Sequence, residues 1–302
     1  NKKTKDLLVQ LTRPATAGLA ENPFVNIGES SNKGVEFAIN YDGRISNGFG
    51  IQAGINMSFN KNEVTGLNPD NAEQFLPTFD FRGNTVTRIQ KGFPISYFYG
   101  YDIEGFYSSQ TEVDRLDQSN GVVGGFKYRD VDGDGKITSD DRTQIGSPHP
   151  DAIYGINLGF SYDQFSLTFF ADGTVGNEIY DFKKYFTDLH FFPGALKTTV
   201  LDSWSPNNLN ATVPLISNDV TGQEIPSSFY IEDGSYFRMR NINLNYNLPS
   251  SILSNLNIAS ANIYFQVDNA FVITKYSGLD PEINVLNDPN NARSDQNLGI
   301  DR

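Results

Sequence analysis

The stretch YRDVDGDGKITSDDRTQIG, residues 128–146, carries Asp130, Asp132 and Asp134 at alternate positions, then Gly135, and closes its acidic run at Asp141. Counted from Asp130, the carboxylates stand at positions 1, 3, 5 and 12, with glycine at 6. That is the ligand spacing of a twelve-residue EF-hand calcium loop, in which hard oxygens surround the ion and the glycine permits a sharp turn. The expected ligands are the side chains of Asp130, Asp132, Asp134 and Asp141 and the backbone carbonyl of Lys136 at position 7. Thr138 falls at position 9, which is often served through water. Asp at position 12 is shorter than the usual bidentate Glu. Asp and Gly also build metal-free turns, but four acids in register with Gly135 and Ile137 favour Ca2+. The expected role is structural: crowded carboxylates repel until a divalent cation neutralises them, and binding then orders the loop. No helix pair flanks it to act as a switch.

Other chemistry finds little support. The chain has no cysteine and only two histidines, His149 and His190, so thiolate and multi-histidine zinc sites are excluded. His149, between Pro148 and Pro150, reads as a turn residue. No nucleophile–base pair, nucleotide loop or paired glycosidase-like acids stand out, and no enzyme activity is expected. A formal charge of −13 over 302 residues excludes nucleic acid as a partner, because phosphate binding needs a basic face. Tyr97, Phe98, Tyr99, Tyr101, Phe106 and Tyr107 have the chemistry to stack on sugar rings, but packing is the commoner use of such residues. Trp204 likewise reads as a packed loop anchor.

The elements that must hold these residues show period two. In residues 48–60, Phe49, Ile51, Ala53, Ile55, Met57 and Phe59 oppose Gln52, Gly54, Asn56 and Ser58. Strict alternation of this length cannot be helical. It recurs in GVEFAINY, in YGINLGFSY, in RNINLNYNL and in NIYFQVDNAF. Residues 165–171 continue after only Asp163 and Gln164, which predicts a tight hairpin turn. A soluble sandwich and a transmembrane barrel both generate such strands. Three details favour the barrel. The strands run to about ten residues, the length a tilted strand needs to cross a bilayer. Their polar face is rich in Asn, Gly and Ser rather than Lys and Glu. Tyr and Phe gather near strand ends, including Tyr41, Tyr154, Tyr162 and the segment YFYGYDIEGFY, where an aromatic girdle is expected. Short turns alternate with long connections, as in outer-membrane barrels. No run approaches about 20 apolar residues, and Asn1, Lys2, Lys3 and Lys5 do not begin a signal peptide. Arg238 and Arg240 fall on the apolar phase of their strand, so either they lie beyond the membrane band or the strand contains a bulge.

Several segments together resemble the SusC/RagA group of TonB-dependent outer-membrane transporters: NPFVNIGESSNKGVEFAINY, KGFPISYFYGYDIEGFY, the calcium-loop block through GNEIYD, DGSYFRMRNINLNYNLPSSIL and DNAFVITKYSGLDPEI. The resemblance covers essentially all 302 residues in the group's order. It implies an all-β fold, a partial transmembrane antiparallel β-barrel with long extracellular loops. Residues 1–302 would be the C-terminal portion of the barrel. The group's plug domain, N-terminal barrel strands and final strand have no counterpart here. The implied function is active import of oligosaccharides or peptides across the bacterial outer membrane. The implied partners are a SusD-like surface lipoprotein as lid, the TonB complex through the region missing here, and outer-membrane lipid. The alternative is a soluble calcium-stabilised β-domain that binds glycans or scaffolds an extracellular complex. The reading frame decides between them: a plug-encoding region upstream and a closing aromatic strand downstream are expected. Stop codons or a secretion signal adjoining Asn1 would contradict the importer.

Overall fold

The computed structural model describes residues 1–10, 24–45, 48–67, 76–81, 83–189, 196–217, 221–254, 258–282 and 300–301. The chain begins with three long strands, β1 (Lys2–Gln10), β2 (Phe24–Arg44) and β3 (Phe49–Leu67). It then makes an excursion through β4 (Leu76–Phe81), β5 (Asn84–Ile89), β6 (Tyr97–Gly100), β7 (Ile103–Phe106), α1 (Gln110–Arg115), β8 (Asp117–Gln118), β9 (Phe126–Tyr128), β10 (Lys136–Ile137) and β11 (Thr143–Gly146). The hairpin β12 (Ala152–Tyr162) and β13 (Phe165–Val175) follows. A second excursion carries β14 (Glu178–Asp181), α2 (Lys184–Thr187) and β15 (Ile231–Asp233). The last wall strands are β16 (Tyr236–Asn247) and, beyond α3 (Ser250–Leu253), β17 (Asn262–Thr274). A short β18 (Ile300–Asp301) pairs in parallel with β14.

Seven of these strands form one antiparallel sheet in the order β1-β2-β3-β12-β13-β16-β17. Each neighbour is the next wall strand along the chain, so the sheet is an up-and-down wall. The connections between β2 and β3, β12 and β13, and β16 and β17 lie at one end. Both excursions leave from the other end and fold into a cap.

Pairing register explains why alternation in sequence becomes two chemically distinct surfaces. Tyr41, Ala53, Leu158, Phe169, Ile242 and Val267 form one continuous row across six strands. One residue along, Asp42, Gln52, Gly159, Thr168, Asn243 and Gln266 form the adjacent row on the opposite face. The apolar face is uncovered: Ile39 and Phe265 are each 68% exposed and Ile263 65%. Leaving such side chains in water forfeits about 1.5–3 kcal/mol apiece, and apolar patches of this extent mark contact with another apolar phase. The opposite face is tied by cross-strand amides, including Asn241 Nδ2 to Asp268 Oδ1 at 2.8 Å and Asn262 Nδ2 to Asn245 Oδ1 at 2.7 Å. A Cβ at Gly155 would stand 2.6 Å from Asn56 Oδ1; glycine there lets the amide lie flat on the sheet. Asymmetry of this kind is that of a transmembrane barrel wall, apolar toward lipid and polar toward the lumen.

The turn-end girdle expected from Tyr162 is present. Tyr162 pairs with Phe49 and Phe165, and Phe165 with Tyr246, whose rings lie 4.6 Å apart. The same expectation is corrected for YFYGYDIEGFY. Tyr97, Phe98, Tyr99, Tyr101 and Tyr107 are buried inside the cap, because two hydrophobic clusters there require aromatic fill. Val86, Phe98, Tyr180, Tyr185, Leu189 and Tyr230 build one cluster, and Tyr101, Phe126, Tyr128 and Ile137 the other. Tyr101 stacks on Tyr128 at 4.5 Å between centroids, and Tyr180 on Tyr230 at 5.2 Å. Burial pushes the Tyr180 and Tyr230 hydroxyls well above the ordinary phenol range, and Tyr230 donates to the Gln223 carbonyl at 2.7 Å. Trp204 is buried as a loop anchor, against Gly124. The long connection after β3 also holds the paired strands β4 and β5.

The two faces give a direct test. Leu244→Arg, on the lipid face, should reduce folded protein in bilayers by a cost of about 2–4 kcal/mol at mid-depth. Asn243→Lys, one residue away on the lumen face, should have little effect. Gel-shift refolding titrations in lipid vesicles measure both.

Candidate calcium loop and inner-wall ion network

Asx-type hydrogen bonds shape the acidic loop. Asp130 accepts from the Gly133 amide at 2.7 Å and the Gly135 amide at 2.9 Å. Asp132 accepts from Asp134 N at 3.1 Å, and Asp134 from Lys136 N at 2.8 Å. Gly135 has φ +81° with nothing within 4 Å of an added Cβ, so backbone conformation rather than space requires glycine there. One carboxylate oxygen from each of Asp130, Asp132 and Asp134 lies within 4.8 Å of the other two. The hydrogen bond from Asp134 N lowers the Asp132 pKa, but desolvation and the charges of Asp134, Asp141 and Asp130 raise it further, leaving it above its ordinary value.

Asp141 lies outside that trio. It is fully buried and braces the loop from beneath: Oδ1 accepts from Val131 N at 2.7 Å and Oδ2 from Thr138 N at 2.8 Å. Thr138 completes a capping box with Asp141, the arrangement that satisfies free amides at the start of a helical turn. Lys136 begins β10, which pairs with β8 beside Asp117. The loop is wired to the cap core through Tyr101, whose hydroxyl donates to the Thr138 carbonyl at 2.8 Å. Three converging carboxylates and an acid-closed turn are a hard-oxygen donor set that suits calcium.

The second cluster lies on the inner wall. The alternation predicted that Arg238 and Arg240 share the lipid phase unless a bulge intervenes, and a bulge is present. Phe170 pairs with Asn241, but the next residue, Ala171, pairs with Met239, so Arg240 has no partner on β13. The extra residue shifts the phase and brings Arg238 opposite Asp172 on the lumen side. Arg240 grips Asp172 with a two-pronged contact, Nε to Oδ1 at 2.6 Å and Nη2 to Oδ2 at 3.0 Å, and also bonds Glu282. Arg238 Nη2 meets Asp280 Oδ1 at 2.5 Å, and its Nε lies 2.7 Å from Glu282 Oε2 without hydrogen-bond alignment. Asp280 and Glu282 went unmarked in the sequence reading. The signal for them was the arginine pair itself, since two cations on a wall strand require acids somewhere opposite.

His149 is a packed turn residue. Its Nε2 lies 2.7 Å from the Ile95 carbonyl, and burial lowers its pKa. His190 lies outside the described residues.

Comparison with known proteins places this architecture. No protein-family model matches the chain. It is 34% identical to TonB-dependent receptor P3 of Formosa agariphila over 305 residues, which is 99% of this chain and 30% of that protein. It is 27% identical to TonB-dependent receptor SusC of Bacteroides thetaiotaomicron over 288 residues, 93% of this chain and 27% of that protein. Among solved structures, the RagAB peptide transporter superposes with a TM-score of 0.75 at 24% identity, covering 92% of this chain and 29% of that one. The closed-closed state of the RagAB peptide importer gives 0.74 at 22%, covering 99% and 30%. The wall and its two faces are those of a transmembrane β-barrel segment, and the chain is similar along 93–99% of its length to part of TonB-dependent receptors. Within that class the resemblance to the SusC/RagA group holds, and the chain spans about 30% of the length of the curated relatives it matches.

The Asp141 brace generates a prediction. Asp141→Asn sets an amide NH2 against backbone donors from Val131 and Asp132 or from Thr138 and should cost about 1–3 kcal/mol. Because the brace does not depend on a metal, the loss should persist in chelator. Thermal unfolding of the complete receptor, with and without chelator, measures it.

Proposed function

We propose that residues 1–302 form the C-terminal portion of the barrel of an outer-membrane importer of the SusC/RagA type. The wall carries the lipid-facing and lumen-facing surfaces, and the cap forms its extracellular end. In this reading the plug, the first barrel strands and the closing strand belong to other parts of the receptor. The observation that carries the reading is the long uncovered apolar face backed by an amide-lined inner face, on a chain similar along nearly its whole length to TonB-dependent receptors. A soluble calcium-stabilised β-domain would need to cover that face.

The whole receptor would take up oligosaccharides or peptides, with a SusD-like lipoprotein as lid and the TonB complex as energy source. This chain's contribution is binding and passage rather than chemistry. Its inner wall forms a groove of about 600 Å³ lined by Asn40, Gln52, Asn157, Thr168, Phe170 and Asn241. Amide donors and acceptors beside one exposed ring suit either cargo. Deleting the gene should abolish energised uptake of the cargo, and restoring it should recover uptake only with a functional TonB complex. Uptake unchanged by the deletion across defined glycan and peptide media would contradict the proposal.

For the loop we infer calcium held by Asp130, Asp132 and Asp134 with the Lys136 carbonyl, Asp141 closing the turn. Bound calcium would neutralise the carboxylate trio and order the cap around Tyr101. Calcium removal from the complete receptor should make the peptide bonds of residues 130–141 about tenfold more sensitive to protease, following the rise in local opening. Asp134→Asn should reproduce the change in the presence of calcium. Limited proteolysis with mass-spectrometric mapping reads both, and equal cleavage with and without calcium would exclude the site.

A further inference from the structure

Beyond β17 the chain folds back, and residues 276–282 join cap to wall at two chemically different anchors. At the cap end, Ser277 donates from its amide to Glu232 Oε2 at 2.8 Å and from its hydroxyl to Oε1 at 2.9 Å. Lys184 holds the same carboxylate at 2.9 Å, and both side chains are about seven-eighths buried, at 14% and 13% exposure. Tyr276 is buried and accepts from Lys183 Nζ at 3.4 Å. At the wall end, Asp280 and Glu282 sit on Arg238 and Arg240 at the β16 bulge, and the Tyr236 hydroxyl also donates to Glu282 Oε1 at 2.9 Å. Here the carboxylates are 52% and 31% exposed, although the Arg238 side chain they meet is 11% exposed, so the contrast with the cap end lies in the acids. Between the anchors Leu279 is 98% exposed, while Pro281 is buried at the wall end.

We propose that residues 276–282 are a strap with one permanent and one releasable end: fixed to the cap through Glu232 and Ser277, and latched to the inner wall through the two arginines. The asymmetry follows from solvent access. Ion pairs between partly exposed groups are weak and screened by salt, whereas buried pairs are screened much less. The latch also carries three acids, Asp172, Asp280 and Glu282, against two arginines. One carboxylate is in excess, and the two on the strap are held by no strand ladder, whereas Asp172 lies within β13. Arg240 remains engaged by Asp172 when the strap lets go, whereas Arg238 gives up both of its acids and keeps the Tyr236 ring 5.9 Å away. The strap thereby separates cap motion from wall integrity: the cap can shift while the barrel stays closed.

Hydrogen exchange on the complete receptor tests the order of release. The Glu282 amide, which donates to Asp280 Oδ1, reports the latch, and the Ser277 amide reports the fixed end. Raising salt from about 0.1 to 1 M shrinks the screening length from about 10 to 3 Å, and should speed exchange at residues 280–282 about tenfold while Ser277 and the β16 amides hold. Glu282→Gln, which keeps the side-chain shape, should produce the same pattern at low salt. Glu232→Gln should instead release Ser277. Simultaneous release of both ends, or no change at 280–282 in high salt and in a folded Glu282→Gln receptor, would overturn the proposal.

Discussion

In hydrocarbon a backbone amide has no water to turn to, so every wall strand must find its hydrogen bonds in a neighbour. That constraint dictates the seven-stranded antiparallel sheet, with each wall strand paired to the next along the chain. The same requirement makes register unforgiving. A slip of one residue would carry Leu158, Phe169 and Ile242 into the lumen and Gly159, Thr168 and Asn243 into lipid. β16 carries its two arginines into this wall where a bulge turns them inward, and Asp172 is placed to meet Arg240.

The cap obeys ordinary water-soluble rules by contrast. Its aromatic clusters exclude water, its phenols find carbonyl acceptors, and its acidic loop is held by Asx turns and by the buried Asp141. Wall and cap meet where the aromatic core gives way to ion pairs. Such pairs are adjustable in water and costly in lipid, which suits a junction that lies beyond the hydrocarbon.

Much of the wall was legible in the sequence because period two survives folding without interpretation. The hairpin at Asp163 and Gln164, the outward set from Phe49 to Phe59 and the family motifs all reappear in the structure. Three features were not legible. The packing of the aromatics from Tyr97 to Tyr107 was open to view, but not their partners: Phe98 is buried against Tyr180, 82 residues away, and Tyr101 against Tyr128, which no local pattern encodes. The bulge at Arg240 was one of two open readings, because periodicity counts residues and cannot register an inserted one. Asp141 showed its loop position in sequence, but its backbone amide donors belong to a turn whose geometry only the fold supplies.

The most direct measurement is a lipid-accessibility scan along β16, with single spin labels from position 236 to 247 in the complete receptor reconstituted in bilayers. The account predicts high oxygen accessibility at positions 242, 244 and 246, a break at 240, and high accessibility at the odd positions 237 and 239 beyond it. Unbroken even-numbered accessibility through 240 and 238 would contradict the bulge. Uniform water accessibility along the strand would contradict the membrane wall itself.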